Sequence, residues 1–349
     1  MGIRLVLAPA LVLLGLTFCA SLAYAQEGVP NVENSVRITL SPQYPQAGER
    51  VHLSAGSSII DLPHSDIVWY ANGKVIASGR GVTSADVTVG ALGKETTIEV
   101  DVTAGKVTAT GTAVIIPSEV DLLLESDSYT PPFYRGRALP SAGTSIRLQA
   151  IARFVRSGGT LVPQNQITFT WKRNGQVVGN VSGQGKSSAA LPAPSLFGTD
   201  SISVEAVSAD GTFSGATSIR IPSTEPILTV YEDHPLFGLL YHSALGTQTF
   251  IPETEMTFVA VPYFAQATSP NDPRLEYAWR VNGKAIPADS TKPSEVTINS
   301  NNTPGTALLS LELTHVSNFF MDSSGSWSIS FSGQAASPSG ADVFHTTGQ

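Results

Sequence analysis

Along most of the chain, apolar side chains alternate with polar ones in short runs. Val51, Leu53 and Ala55 are interleaved with His52 and Ser54, and Ile98, Val100 and Val102 with Glu99 and Asp101. A period of two places one set of side chains on a single face of an extended strand, so each run reads as a strand with one buried face. No segment carries the apolar spacing of an amphipathic helix. The pattern predicts strands over 36–40, 50–55, 66–70, 74–77, 85–89, 96–104 and 106–116, and a central strand over 167–172. Further strands are predicted over 227–231, 255–264, 275–281, 295–299, 307–316 and 326–332. Short strands separated by Gly, Pro, Asn and Ser turns point to all-β sandwiches.

The alternation is organised by a repeat. Trp69 is followed by Asn72-Gly73, Trp171 by Asn174-Gly175, and Trp279 by Asn282-Gly283. The copies lie about a hundred residues apart, which divides the chain into three similar units. Asn-Gly between extended runs is a strong hairpin signal, because a type I′ turn needs positive φ at both central positions. Ile67, Phe169 and Tyr277 each stand two residues before a Trp and share its face. The three Trp residues are therefore expected in the cores and the Asn-Gly pairs at hairpin tips.

A second repeat precedes the first. Pro45, Gly48, Val51, Leu53 and Ala55 match Pro140, Gly143, Ile146, Leu148 and Ala150, with a looser third copy at Pro252, Met256, Phe258 and Ala260. A third repeat, Ile116-Pro117-Ser118 and Ile221-Pro222-Ser223, reads as short stiff joints, since Pro fixes φ and donates no hydrogen bond. The resulting division is 35–117, 118–222 and 223–334, with a leader at 26–34 and a polar flexible tail at 335–349.

The N-terminus reads as a signal peptide over 1–25. Arg4 precedes an apolar stretch, and Ala23-Tyr24-Ala25 forms an A-x-A cleavage site. Lipid attachment at Cys19 is the less favoured alternative, because Phe18 suits a lipobox poorly. Cys19 is the only cysteine. The exported chain would therefore lack disulfides, and each unit must rely on its own apolar core. The expected location is periplasmic, cell-surface or extracellular. The net charge of −8 argues against nucleic-acid binding, which needs a basic face. After the leader, no apolar run approaches the roughly 20 residues of a membrane helix.

Catalytic patterns are missing. There is no G-x-S-x-G elbow and no H-E-x-x-H helix. The Gly-rich run from Gly179 to Ser187 misses phosphate-loop spacing, because Asn180 stands where Gly is required. His52 and His315 read as solvent-facing strand residues rather than bases. Asp61, His64 and Asp66 read as a solvated loop. Asn271, Asp272 and Glu276, with Glu232, Asp233 and His234, are the best approach to a structural calcium site, but they lack repeated Asp at fixed spacing. No cofactor is expected.

The second and third units share an element that the first lacks. Tyr129 to Leu139 and His234 to Leu245 are Pro- and aromatic-rich connections with a Gly near the middle. Their aromatics either pack over a sandwich end or present a binding surface through Phe133, Tyr134, Phe237 and Tyr241.

The Trp-Asn-Gly hairpin and the preceding alternating strand resemble bacterial immunoglobulin-like domains, in the broad group that includes PKD-type repeats. The chain departs from PKD repeats in lacking a W-D-F-G-D-G strand, and from antibody domains in lacking both cysteines. The resemblance implies three tandem immunoglobulin-like sandwiches in a non-enzymatic exported protein of the cell envelope. Such a chain would act as a spacer or adhesion module, with a protein or glycan partner. The alternatives are a carbohydrate-binding module using the aromatic connections, and an accessory subunit of a pilus or secretion assembly.

Overall fold

The computed structural model describes residues 36–251, 255–301 and 303–331. The segments expected to form a signal peptide, with Cys19, a leader and a tail, together with Pro252, lie outside the described residues.

The first sandwich contains β1 (Arg37–Ser41), β2 (Arg50–Gly56), β3 (Asp66–Ala71), β4 (Lys74–Arg80), β5 (Ser84–Thr88), β6 (Thr96–Ala104) and β7 (Val107–Ile115). They form two antiparallel sheets, ordered β1-β2-β5 and β4-β3-β6-β7. The second contains β8 (Glu119–Ser126), β9 (Ser145–Arg153), β10 (Ile167–Arg173), β11 (Gln176–Val177), β12 (Gly183–Gln184), β13 (Ser188–Pro192), β14 (Thr199–Ser208) and β15 (Ser214–Pro222). Its sheets, β8-β9-β13 and β11-β10-β14-β15, repeat the same order, with β12 also paired to β10. This is the strand order of an immunoglobulin-like or fibronectin-like sandwich without an inter-sheet disulfide.

The third sandwich contains β16 (Ile227–His234), β17 (Gly238–Ala244), β18 (Gln248–Ile251), β19 (Glu255–Tyr263), β20 (Leu275–Val281), β21 (Lys284–Ala285), β22 (Glu295–Asn299), β23 (Gly305–His315) and β24 (Asp322–Phe331). The shared order persists, with two additions. β17 folds back on β16 as an extra edge strand, and β18 pairs in parallel with β24. The segment read as an irregular aromatic connection is therefore largely strand. Gly238, at φ +67, makes the tight return after Pro235.

Each core follows the alternation. Val51, Leu53, Ile67, Trp69, Ile98 and Val100 close the first, and Ile146, Leu148, Phe169, Trp171, Ile202 and Val204 the second. Phe258, Ala260, Trp279, Leu309, Leu311 and Leu313 close the third. The three Trp side chains are at most 1% exposed. Each indole N–H donates to a main-chain carbonyl two residues before the third strand of the opposite sheet. Trp69 bonds to Val82 at 2.8 Å, Trp171 to Lys186 at 2.9 Å and Trp279 to Pro293 at 3.1 Å. One side chain thus fills the core and ties the two sheets together.

The Asn-Gly pairs join β3 to β4, β10 to β11 and β20 to β21. All six residues have φ between 48° and 81°. Each Asn also exchanges two hydrogen bonds with a strand across the sheet. The partners are Thr97 for Asn72, Ser201 for Asn174 and Leu308 for Asn282; in each pair the Asn side-chain oxygen accepts the partner's N–H and the Asn N–H donates to the partner's carbonyl. The Asn therefore anchors the hairpin as well as turning it.

His315 departs from the sequence expectation. It continues the inward set Leu309, Leu311 and Leu313 and is 5% exposed, because the phase of β23 carries it into the interior. His52, on the outer face of β2, is exposed and lies 3.0 Å from Asp86.

Candidate partner-binding surface at the sandwich joints

In the first and second sandwiches the connection between the first two strands lies at the pole facing the next sandwich. In the second sandwich it spans 127–144. Ser128 donates its hydroxyl to the Leu139 carbonyl at 2.7 Å, which pins the two ends of the loop together. Tyr129 then behaves as a short strand added to the third sandwich. Its N–H donates to the Ala265 carbonyl at 2.8 Å, and its carbonyl accepts the Phe264 N–H at 2.6 Å. Ser141 donates its hydroxyl to the Phe264 carbonyl, and the Thr224 N–H donates to the Pro140 carbonyl at 2.7 Å. Asn318, on the β23–β24 loop, closes the joint by donating to the Ala142 carbonyl at 2.8 Å and to Gln266 Oε1 at 2.9 Å.

Above these bonds sits an aromatic cluster. Tyr231, Val259, Val261 and Tyr263 point away from the main core, onto the outer face of the β16–β19 sheet. They are covered by Leu239 and Tyr241 of β17 and by Tyr129 of the second sandwich. The Tyr231 and Tyr263 hydroxyls share a 2.7 Å hydrogen bond. The Tyr231 and Tyr241 rings lie 5.5 Å apart. Tyr134 meets Tyr263 and Phe264 edge-on at 5.7 and 5.9 Å. Burial pushes the Tyr129 phenol up to about 12, helped by the fields of Tyr241 and Tyr263. Burial also raises Tyr263, and its hydrogen bond with Tyr231 adds to the effect. The two aromatic connections, far apart in sequence, thus converge on one joint.

The four aromatics singled out from sequence divide into two classes. Tyr134 and Tyr241 are engaged in this cluster. Phe133 is 93% exposed and Phe237 76%. Phe133 has φ +65, as an outward-turned loop apex requires. Sequence reasoning missed four further exposed rings, namely Phe197 beside the same pole of the second sandwich, Phe319 and Phe320 next to Asn318, and Phe250 on β18. Phe197 and Phe133 share a left-handed backbone, which bulky residues adopt rarely. The paired Phe319-Phe320, directly after the polar Ser317-Asn318, was the available signal. Exposed aromatics around one joint are the kind of surface that binds a protein.

The joint between the first and second sandwiches is built differently. Tyr44, between β1 and β2, donates its hydroxyl to Glu205 Oε1 at 2.8 Å, so the short connection of the first unit also clasps its neighbour. Burial, and then Glu205, push the Tyr44 phenol up to about 12. Gly93, at φ +72, packs directly under the Val155 carbonyl, where a Cβ would overlap that oxygen. Ser118 is buried and donates to the Ser214 carbonyl. Ile221 and Pro222 end β15, whereas Ile116-Pro117-Ser118 bridges β7 and β8, with the Pro117 carbonyl accepting the Gly93 N–H. A cavity of about 680 Å³ opens beside this joint, lined by Leu92, Lys94, Glu95, Arg156, Asp210 and Phe213.

The calcium candidates do not converge. Asp272 is buried, and Arg274 and Thr268 occupy its carboxylate, holding it well below the usual carboxylate range. Asn271 accepts from Ser294, and Glu276 faces solvent on β20. Among the described residues no three His, Cys, Asp or Glu side chains form a metal-binding group. Asp61 and His64 pair with each other at 2.7 Å in an exposed loop. Among the same residues no helix is long and apolar enough to cross a membrane.

No family model matches the chain, and no curated protein matches it. Solved structures of multi-domain arrays do. Fibronectin(III)-like modules of Clostridium thermocellum CbhA are 16% identical, cover 54% of this chain and 94% of their own, and have a TM-score of 0.25. Three N-terminal domains of the bacteriophage RB49 outer capsid protein Hoc are 15% identical over 86% of this chain and 98% of theirs, at 0.24. The central fibronectin-III array of RIM-binding protein is 14% identical over 84% and 95%, at 0.29. Likenesses at this level carry no functional weight. The assignment as tandem immunoglobulin-like or fibronectin-like sandwiches rests on the strand order, and the narrower PKD-type resemblance gains nothing from them.

Proposed function

We propose that this chain is a non-enzymatic, exported structural protein of the cell envelope. In this reading its three sandwiches hold a fixed spacing and offer a protein partner the exposed aromatics of the second joint. The observation that carries the reading is the Tyr129 clasp, a strand-like exchange of main-chain hydrogen bonds between sandwiches, roofed by tyrosines. A loop that only linked domains would not need buried side chains on both sides. Phe133, Phe319 and Phe320 supply exposed apolar area next to a rigid support, an arrangement suited to an interface anchor. A glycan platform is less well supported, because Tyr134 and Tyr241 are turned into the cluster. The signal-peptide pattern over 1–25 supports export, and the absence of catalytic motifs supports a binding or spacing role.

Cell fractionation with protease shaving, followed by cross-linking mass spectrometry, tests this reading. Protection from shaving in intact cells, release on opening the envelope, and cross-links from the second joint to another protein are expected. A chain found inside the cell, or one whose cross-links avoid Phe133 and Phe319 and are unchanged by Phe133→Ala with Phe319→Ala, would overturn it.

A further inference from the structure

At both internal joints, the connection between a sandwich's first two strands grips the sandwich that follows. Tyr44 does so at the first joint, and Tyr129, Ser141 and Ala142 do so at the second. The receiving residues lie toward the same end of the sandwich each time. In the second sandwich Tyr44 meets Glu205 on β14, and Gly93 meets Val155 after β9; in the third the receivers are Phe264 and Ala265 after β19 and Asn318 on the β23–β24 loop.

The third sandwich carries the largest connection of the set, with no sandwich after it among the described residues. Its β16–β17 hairpin extends past the β19 ladder, and Leu236 and Phe237 at its tip are 83% and 76% exposed. The His234 ring lies tilted against Phe237 with centroids 4.8 Å apart, and its Nδ1 accepts the Leu236 N–H, which holds the tip in shape. Beside it, a recess of about 250 Å³ opens between β17 and β18, lined by Leu245, Phe250, Met256 and Phe258. Phe250 is 60% exposed.

The complementary surface is at the other end of the described residues. The receiving pole of the first sandwich exposes Ile59, after β2, and Val107, at the β6–β7 turn. Arg37, Arg80 and Lys106 stand at that pole with Asp61 and Asp66 beside them, whereas the hairpin stem carries Glu232 and Asp233. An acidic stem with an apolar tip therefore meets an aliphatic surface on which basic groups outnumber acidic ones.

We propose that the β16–β17 hairpin docks on the N-terminal pole of the first sandwich of a second copy, so that copies join head to tail. This repeats the chain's own joint between molecules, and it goes beyond the proposed envelope role without depending on export. A heterologous contact of this kind propagates into filaments or closes into rings.

The test is sedimentation velocity on the full chain, expressed with its own leader, from about 1 to 100 μM. The expected result is a sedimentation coefficient that rises with concentration. Leu236→Asp with Phe237→Asp should raise the dissociation constant about tenfold or more, and Ile59→Asp with Val107→Asp should do the same. All four positions are exposed, so circular dichroism and thermal unfolding should not change. Mixing the two double variants should restore a single contact and yield dimers that grow no further, because each retains one intact pole. A monomeric parent chain, association indifferent to both lesions, or a mixture that stays monomeric would each overturn the proposal. If the parent chain is monomeric and removing 332–349 creates association, the tail is the occupant and the proposal fails.

Discussion

Tyr129 of the second sandwich and Ala265 of the third are joined by a main-chain hydrogen bond of 2.8 Å, and the neighbouring Phe264 N–H returns to the Tyr129 carbonyl. Tyr129 therefore adds a residue of strand to a domain it does not belong to, while its ring packs among Tyr231, Tyr241 and Tyr263. Tyr129→Ala removes the ring and keeps the backbone. A loss of about 1–3 kcal/mol is expected, below the range for a fully buried aromatic because the ring is half-buried. Calorimetry should show the third sandwich unfolding at a lower temperature, with the first unchanged.

The three Trp residues are each expected to cost about 3–5 kcal/mol when replaced by Ala. Phe at the same positions keeps most of the apolar burial but strands the carbonyl of Val82, Lys186 or Pro293. That change should cost about 1–3 kcal/mol. Urea unfolding of Trp171→Phe against Trp171→Ala measures the difference.

Asn282 has two duties, a left-handed backbone and an acceptor for the Leu308 N–H. Asn282→Gly retains the first and loses the second, at about 1 kcal/mol. Asn282→Ala loses both, at about 1–3 kcal/mol. Equal losses in chemical denaturation would show that only the side-chain bond matters.

These features differ in how far the sequence revealed them. Period-two alternation and Asn-Gly turns are local, so the strands, buried Trp residues and hairpins were readable from adjacent residues. The pairing of β18 with β24 was not, because a parallel ladder depends on residues far away in sequence. The joint was unreadable for the same reason: nothing near Tyr129 announces Tyr263. The burial of His315 is legible in the sequence, since it keeps the phase of Leu309, Leu311 and Leu313. For the exposed Phe residues the chemistry was visible, but the choice between packed and free was decided by tertiary contacts.

His315 and the tyrosines give the protein opposite pH limits. Burial, and then Arg274, lower His315 from its ordinary value of 6.5. Its Nδ1 accepts from the Ser317 and Asn318 N–H groups, which protonation would disrupt. A depressed His pKa gives stability that is present above 6.5 and is lost as pH falls below it. Tyr44 and Tyr129, raised from 10 to about 12, give stability that is present below 10 and is lost as pH rises toward 12. Thermal unfolding across pH should therefore fall at both ends, and His315→Gln should flatten the acid side only.

The most direct test of a fixed arrangement between sandwiches is a spin-label distance across the second joint. Labels at Leu123→Cys and Leu308→Cys, both exposed, in a Cys19→Ser background would report it by double electron–electron resonance. A single narrow distance distribution is predicted, broadening when Tyr129→Ala and Asn318→Ala remove the clasp. A broad distribution in the parent chain, unchanged by those substitutions, would contradict the account.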